Sequence, residues 1–240
     1  MPKDDFKELP NNFHQIFEEV SQIKPLQLLR NFNRVALLKE EELTDEFEGT
    51  QEFLPFQIPD HFRYCIPIQK ETELAWEYKD ESKETAEDLA GEFYLEEFMT
   101  VLFKEAPKIQ PYHLPEAFKE VIPQSKIIDD QKTNGNGRLC LLRIIDEAKG
   151  DYELWYYRQG ELFQLHLNYP EYLSKLCETK GIYDWQLFFC KLEHLKMSKA
   201  ISFPDDLLEI TSEIAENLPR IFPGTDNKSY LDFCKQLKES

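Results

Sequence analysis

Positive charge is scarce in this sequence relative to negative charge. Its 240 residues carry 28 Lys and Arg against 46 Asp and Glu, a net charge of −18. That balance argues against nucleic acid as a partner, because phosphate contacts need clustered Lys and Arg. Cysteines are few and unpaired in pattern. The five, at 65, 140, 177, 190 and 234, form an odd set with no close pair, so they read as small hydrophobes in a reducing compartment, not as a disulfide framework. No apolar run approaches the ~20 residues that span a bilayer. Met1-Pro2-Lys3-Asp4-Asp5 also has no apolar core behind a basic start, so a cytoplasmic protein without a membrane partner is expected.

Catalytic signatures are missing as well. The histidines at 14, 61, 113, 166 and 194 are scattered, with no His-x-x-x-His pair, so no metal site is expected. No serine sits in a Gly-x-Ser-x-Gly turn. Thr133-Asn134-Gly135-Asn136-Gly137 reads as a loop tip, and without a following Lys-Ser/Thr or helix it is not a phosphate loop. Carboxylates are too numerous for counting to exclude a glycosidase-like pair, although most lie where solvation is the default. Trp76, Trp155 and Trp185 read as core more readily than as a ligand box. We therefore expect no enzyme, no catalytic residue and no cofactor.

What is present is alternation followed by helical periodicity. Leu139 to Ile145, Tyr152 to Tyr157 and Glu161 to Leu167 alternate like strands, joined by short polar gaps containing Gly150 and Gly160. They predict a three-stranded antiparallel meander in the central sheet. Trp155 belongs to its middle strand, where both faces carry large groups, so it should be interior. Pro170 then opens a helix whose stripe is Tyr169, Tyr172, Leu173, Leu176 and Cys177, ending at Gly181. Tyr183 to Leu195 is ambiguous, with helix favoured. Further helices are predicted from Pro204 through Leu218 and from Asn227 to Lys238.

Upstream, Phe13, Ile16, Phe17 and Val20 fall at i, i+3, i+4, i+7 behind Leu9-Pro10 and predict a first helix. Leu26 to Leu38 fits neither period and reads as loop with local helix, and Lys39 to Leu43 as a polar step or short helical turn. Phe62 to Ile68 and Thr72 to Tyr78 read as a hairpin joined by residues 69–71, with Leu74, Trp76 and Tyr78 on one face and Glu73 and Glu77 on the other. Glu92 to Ala106 reads as a buried central helix. Pro107, Pro111, Pro115 and Pro123 mark a traverse. The expected fold is thus α+β, a mainly antiparallel sheet with helices packed against it. It forms one domain over 1–240, or two packed halves, 1–106 and 124–240, joined through 107–123.

The negative charge is unevenly placed. Glu40 to Glu105 holds 20 acidic and 5 basic residues, leaving 26 acidic and 23 basic for the remainder. Such a segment is either a solvated face that favours solubility or a surface that steers towards a basic partner. On the second reading the partner-binding candidates are Glu71, Glu73, Glu77, Asp80, Glu81 and Glu84.

The order of motifs resembles the SUKH superfamily, which contains the fungal cell-wall-synthesis regulator and many bacterial immunity proteins. It comprises Leu9-Pro10 to Phe17, the Leu-Leu-x-x-Glu-Glu-Leu step from Leu37 to Leu43, a Phe-rich region containing Gln57 and ending in Ile66-Pro67-Ile68, the Trp76 strand and the Glu92 to Ala106 segment. Residues 178–189, Glu-Thr-Lys-Gly-Ile-Tyr-Asp-Trp-Gln-Leu-Phe-Phe, add a later match. Where relatives often carry Glu-Asn-Gln and Trp-Gly, this chain has Phe56-Gln57-Ile58 and Tyr64-Cys65-Ile66. The resemblance implies an α+β fold and a SUKH-like immunity protein or antitoxin that binds and blocks a toxin, often a nuclease, without catalysis, and the acidic segment makes a basic toxin domain the expected partner. Its fungal branch implies the alternative of an intracellular regulator or scaffold of cell-wall and signalling pathways.

Overall fold

The computed structural model describes residues 6–54, 56–68, 71–79, 89–111, 114–132 and 137–239. The first helix, α1 (Leu9–Gln22), buries Phe13, Ile16, Phe17 and Val20 as its periodicity requires, and Pro10 sits in its first turn, where a missing N–H costs nothing. The fold is α+β, with two antiparallel sheets. One is ordered β1 (Leu26–Phe32), β2 (Thr72–Tyr78), β3 (Leu89–Leu95). The other runs β4 (Ser125–Gln131), β5 (Arg138–Asp146), β6 (Asp151–Arg158), β7 (Glu161–Gln164) in chain order. The predicted meander is β5 to β7, and β4 extends it to four strands.

Four expectations need correction. Leu26 to Leu38 begins with the edge strand β1 and not with a loop. Its register against β2 shifts between Leu28 and Arg30, and a bulge of this kind moves side chains to the other face and breaks the alternation by which a strand is recognised. Lys39 to Leu43 is the start of a full helix, α2 (Glu40–Phe53), whose first turn is acidic and whose Glu42 Oε2 accepts the Lys39 N–H at 2.7 Å. Phe62 to Ile68 is not a strand. Residues 60–64 form a 3₁₀ turn, and β2 pairs with β1 and β3 instead.

The fourth correction is the largest. Glu92 to Ala106 divides into β3 and a short helix, α3 (Phe98–Phe103). Nearly every β3 side chain is buried, and a strand covered on both faces shows no period of two. Tyr183 to Leu195 likewise divides, into a 3₁₀ turn (Trp185–Phe189) and α5 (Leu192–Lys196). The traverse carries short 3₁₀ turns at Glu116–Phe118 and Ile122–Gln124.

The helices after the meander are α4 (Tyr169–Thr179), α6 (Asp205–Ile221) and α7 (Lys228–Lys238). Asn168 Oδ1 accepts the Glu171 N–H at 2.9 Å and Glu171 Oε2 accepts the Asn168 N–H at 2.9 Å, a reciprocal cap that fixes the start of α4. Lys180 and Gly181 then turn left-handed, with φ of 54° and 71°. A Cβ on Gly181 would lie 3.1 Å from the Glu92 carbonyl oxygen, so glycine is what lets this turn reach β3.

That approach builds the joint between the sheets. Glu92 N donates to Gly181 O at 2.8 Å and Tyr183 N to Ala90 O at 3.0 Å, which occupies the edge of β3 that β2 leaves open. Further along, side chains replace the ladder: Asp129 Oδ1 accepts the Tyr94 N–H at 2.9 Å, Gln131 Nε2 donates to Glu92 O at 3.1 Å, and Glu92 Oε1 accepts the Lys132 N–H at 3.0 Å. The main core cluster runs from Leu9 to Leu237 and takes side chains from both sheets, while a second one gathers Trp155, Tyr157, Leu139, Leu141, Leu162 and Phe118. All five cysteines are free thiols and buried.

Candidate protein-binding surface

The acidic candidates separate once the strands are in place. β2 turns Leu74 and Trp76 into the core and leaves Glu73 and Glu77 partly exposed on the other face, as alternation predicts. β1 lies alongside and brings Arg30, and the residues after it bring Arg34. Glu73 is ion-paired with Arg30 and Glu71 with Arg34 at 3.2 Å, whereas Glu77 reaches Lys79 at 4.0 Å. Arg34 also lies 4.6 Å over the Phe32 ring. The β2 carboxylates are therefore largely compensated. Asp80, Glu81 and Glu84 lie outside the described residues.

Beside this pair of strands, Arg34, Val35, Glu71, Tyr94, Glu96, Glu97 and Thr100 line an open groove of ≈ 650 Å³. Burial pushes the Tyr94 phenol up from its ordinary value, and the charges of Glu96, Glu71, Glu73 and Asp130 push it further. Lys132 Nζ sits 3.5 Å over the Tyr94 ring, a cation held by the ring face within that negative field.

A sharper acidic feature lies on α2. Leu43, Phe47 and Thr50 are buried on one side. Glu41, Asp45, Glu48 and Glu52 are exposed on the other, spaced four, three and four residues apart, so they share one face. Among the described residues none of the four has a cationic partner. By contrast Glu40 is engaged, with Arg63 Nη1 at 3.8 Å and the Tyr64 hydroxyl at 3.5 Å. Phe53 ends the helix next to this stripe and is 75% exposed. The signal that could have found it was present: acidic residues at helical spacing opposite Leu43 and Phe47.

Among the described residues the buried carboxylates are Glu92, Asp129, Glu161 and Asp184. Asp184 is held between Arg138, Arg158 and the Tyr156 hydroxyl, and Asp129 lies at the joint. Among the described residues, no group of three or more His, Cys, Asp or Glu side chains is arranged to hold a metal ion. No helix of the described residues is long and apolar enough to cross a membrane. Compared with known proteins, the chain matches no family model, no curated protein and no solved structure.

Proposed function

We propose that this chain is a non-catalytic protein-binding module of the immunity type, which neutralises a basic toxin domain in the cytoplasm by docking through its acidic surface. The observation that carries the reading is the α2 stripe of Glu41, Asp45, Glu48 and Glu52, four exposed carboxylates on one face without a compensating cation among the described residues. Uncompensated charge of one sign attracts a partner of the other sign from a distance and raises the association rate more than the affinity. Phe53 beside it supplies the apolar contact that holds an encounter complex together. The motif order that resembles the SUKH superfamily supports a toxin as the partner. A nuclease is the apt case, since its groove binds phosphates and an acidic helix presents carboxylates in their place.

The test is stopped-flow association with a cationic nuclease domain at rising salt. Reversing the stripe (Glu41→Lys, Asp45→Lys, Glu48→Lys, Glu52→Lys) should slow association at low salt by about tenfold or more, within the range electrostatic steering spans. Reversing Glu73 and Glu77 should slow it less, because Glu73 is already neutralised by Arg30. An association rate indifferent to salt and to both reversals would remove the acidic surface as the docking site.

A further inference from the structure

We propose that Asp129, Tyr172 and Gln186 form a proton-linked hydrogen-bond chain at the joint of the two sheets, and that protonation of Asp129 reverses the chain and turns over the Gln186 amide. The geometry is specific. Asp129 lies just after a register shift in β4, which aims its carboxyl at β3 and α4 together. Oδ1 accepts the Tyr94 N–H at 2.9 Å and Oδ2 accepts the Tyr172 O–H at 2.7 Å. Behind Tyr172, Gln186 Nε2 donates to the phenol oxygen at 3.5 Å, and Gln186 Oε1 is buried with no hydrogen-bond partner among the described residues.

The groups that face Asp129 are Glu92 and Tyr94 from β3, Asp130 from β4, Cys140 from β5 and Tyr172 from α4. Burial is the largest influence and pushes the Asp129 carboxyl up to about 7. The hydrogen bonds from Tyr172 and Tyr94 oppose it, and the charges of Asp130 and Glu92 add to it. A carboxyl so placed changes its protonation close to neutrality.

When Asp129 is ionised the chain runs inward: Gln186 N–H to Tyr172 oxygen, Tyr172 O–H to Asp129 Oδ2. One added proton on Oδ2 makes that oxygen a donor to the Tyr172 oxygen, so the Tyr172 O–H must point elsewhere. Cys140, which also hydrogen-bonds Tyr172, offers only a weak sulfur acceptor, whereas a half-turn of the Gln186 amide presents Oε1 as a strong one. Among the described residues no other bond of Oε1 resists the turn. The Tyr94 N–H keeps its acceptor in both states, so β3 remains attached while the polarity behind the joint changes. Because the folded chain binds this proton more tightly than the unfolded one, the joint's contribution to stability is full below the ordinary Asp range and falls as pH rises through about 7.

The experiment follows two probes in the full chain by NMR from pH 5 to pH 9. One is the Asp129 carboxyl ¹³C, assigned by its loss in Asp129→Asn. The other is the Gln186 side-chain amide, assigned by its loss in Gln186→Met. The carboxyl should titrate close to pH 7, and the amide signals should move with the same midpoint. In Tyr172→Phe the carboxyl midpoint should stay raised while the amide no longer follows it. A carboxyl midpoint in the ordinary Asp range would overturn the proton linkage, and a raised midpoint with a still Gln186 amide would overturn the chain reversal. Should Tyr172→Phe fail to fold, coincidence of the two wild-type midpoints decides.

Discussion

Asp184 and Arg158 meet in a two-pronged pair, Nε to Oδ1 at 2.7 Å and Nη2 to Oδ2 at 3.1 Å, with both side chains buried. Arg138 adds a second pair to the same carboxylate, at 2.9 and 3.2 Å, and the Tyr156 hydroxyl donates to Oδ1 at 2.7 Å. One residue of the turn after α4 thus ties down β5 and β6. Burial alone would push the Asp184 carboxyl up, but the hydrogen bonds and charges of Arg138 and Arg158 outweigh it and hold it below the ordinary carboxylate range.

Asp184→Asn should therefore destabilise strongly. It keeps the side-chain shape and the tolerance for the left-handed backbone found here, φ 65°, yet leaves the buried Arg158 and the partly buried Arg138 without a counter-charge. The expected loss is about 3–5 kcal/mol at pH 7. The sign with pH follows from the lowered value: this stability is present above the ordinary Asp value and disappears as pH falls below it. Urea unfolding of the two proteins should show the gap closing in acid, and a gap that is constant with pH would contradict the charge argument.

Gly91→Ala tests the packing between β2 and β3. A Cβ at this position would come within 2.5 Å of the Trp76 indole carbons. Trp76 cannot retreat, because it is fully buried and its Nε1 donates to Lys180 O at 2.8 Å. Overpacking of this kind typically costs about 1–3 kcal/mol. We expect a lower melting temperature for Gly91→Ala, and Gly49→Ala, whose Cβ meets nothing within 4 Å, should show no such loss.

How far the sequence disclosed this depends on what each segment must bury. The meander and α4 were legible because β5 to β7 are joined by short turns and α4 has its cap residues in place. The β3 segment was not, since Leu95, Phe98, Met99 and Leu102 fall at helical spacing across a boundary that only tertiary pairing with β2 creates. The acidic surface was legible as composition but not as geometry. Arg30 and Arg34 lie more than 35 residues from the glutamates they neutralise, 43 and 37 positions away, and nothing local announces such a pair.

His194 gives a third pH dependence, of the same sign as that of Asp184 and opposite to that of Asp129. Its Nδ1 accepts the Gln164 N–H at 3.1 Å, a bond that requires the neutral ring. Burial, with Lys191 and His166 nearby, lowers its value below the ordinary 6.5, against the smaller opposing charges of Glu193 and Glu153. The unfolded chain then binds this proton more readily, so stability is full above pH 6.5 and is lost as pH falls below it. Comparing wild type with His194→Gln in urea at pH 8 and pH 5 isolates the effect: the wild type should lose more on acidification. An equal loss in both would assign the acid sensitivity elsewhere.

Trp155 decides between a core and a ligand-binding role for the aromatic centre. Its strand is covered on both sides, with Leu154 and Tyr156 in the main core and Trp155 and Tyr157 in the second cluster. The indole stacks on His194 at 5.5 Å, meets Phe118 edge-on at 5.0 Å, and donates from Nε1 to Glu153 Oε2 at 3.1 Å. Its neighbours are thus side chains of β5 and β7, the traverse and α5, and truncation would leave a void between them. Trp155→Ala should cost about 3–5 kcal/mol, the usual range for emptying a large aromatic site. That is a large share of the stability of an ordinary domain, and the melting temperature should fall by many degrees. A residue that served mainly to bind a ligand would be truncated with little change in the fold. A thermal melt of Trp155→Ala within a degree or so of wild type would therefore show that the second cluster does not depend on this side chain for its stability.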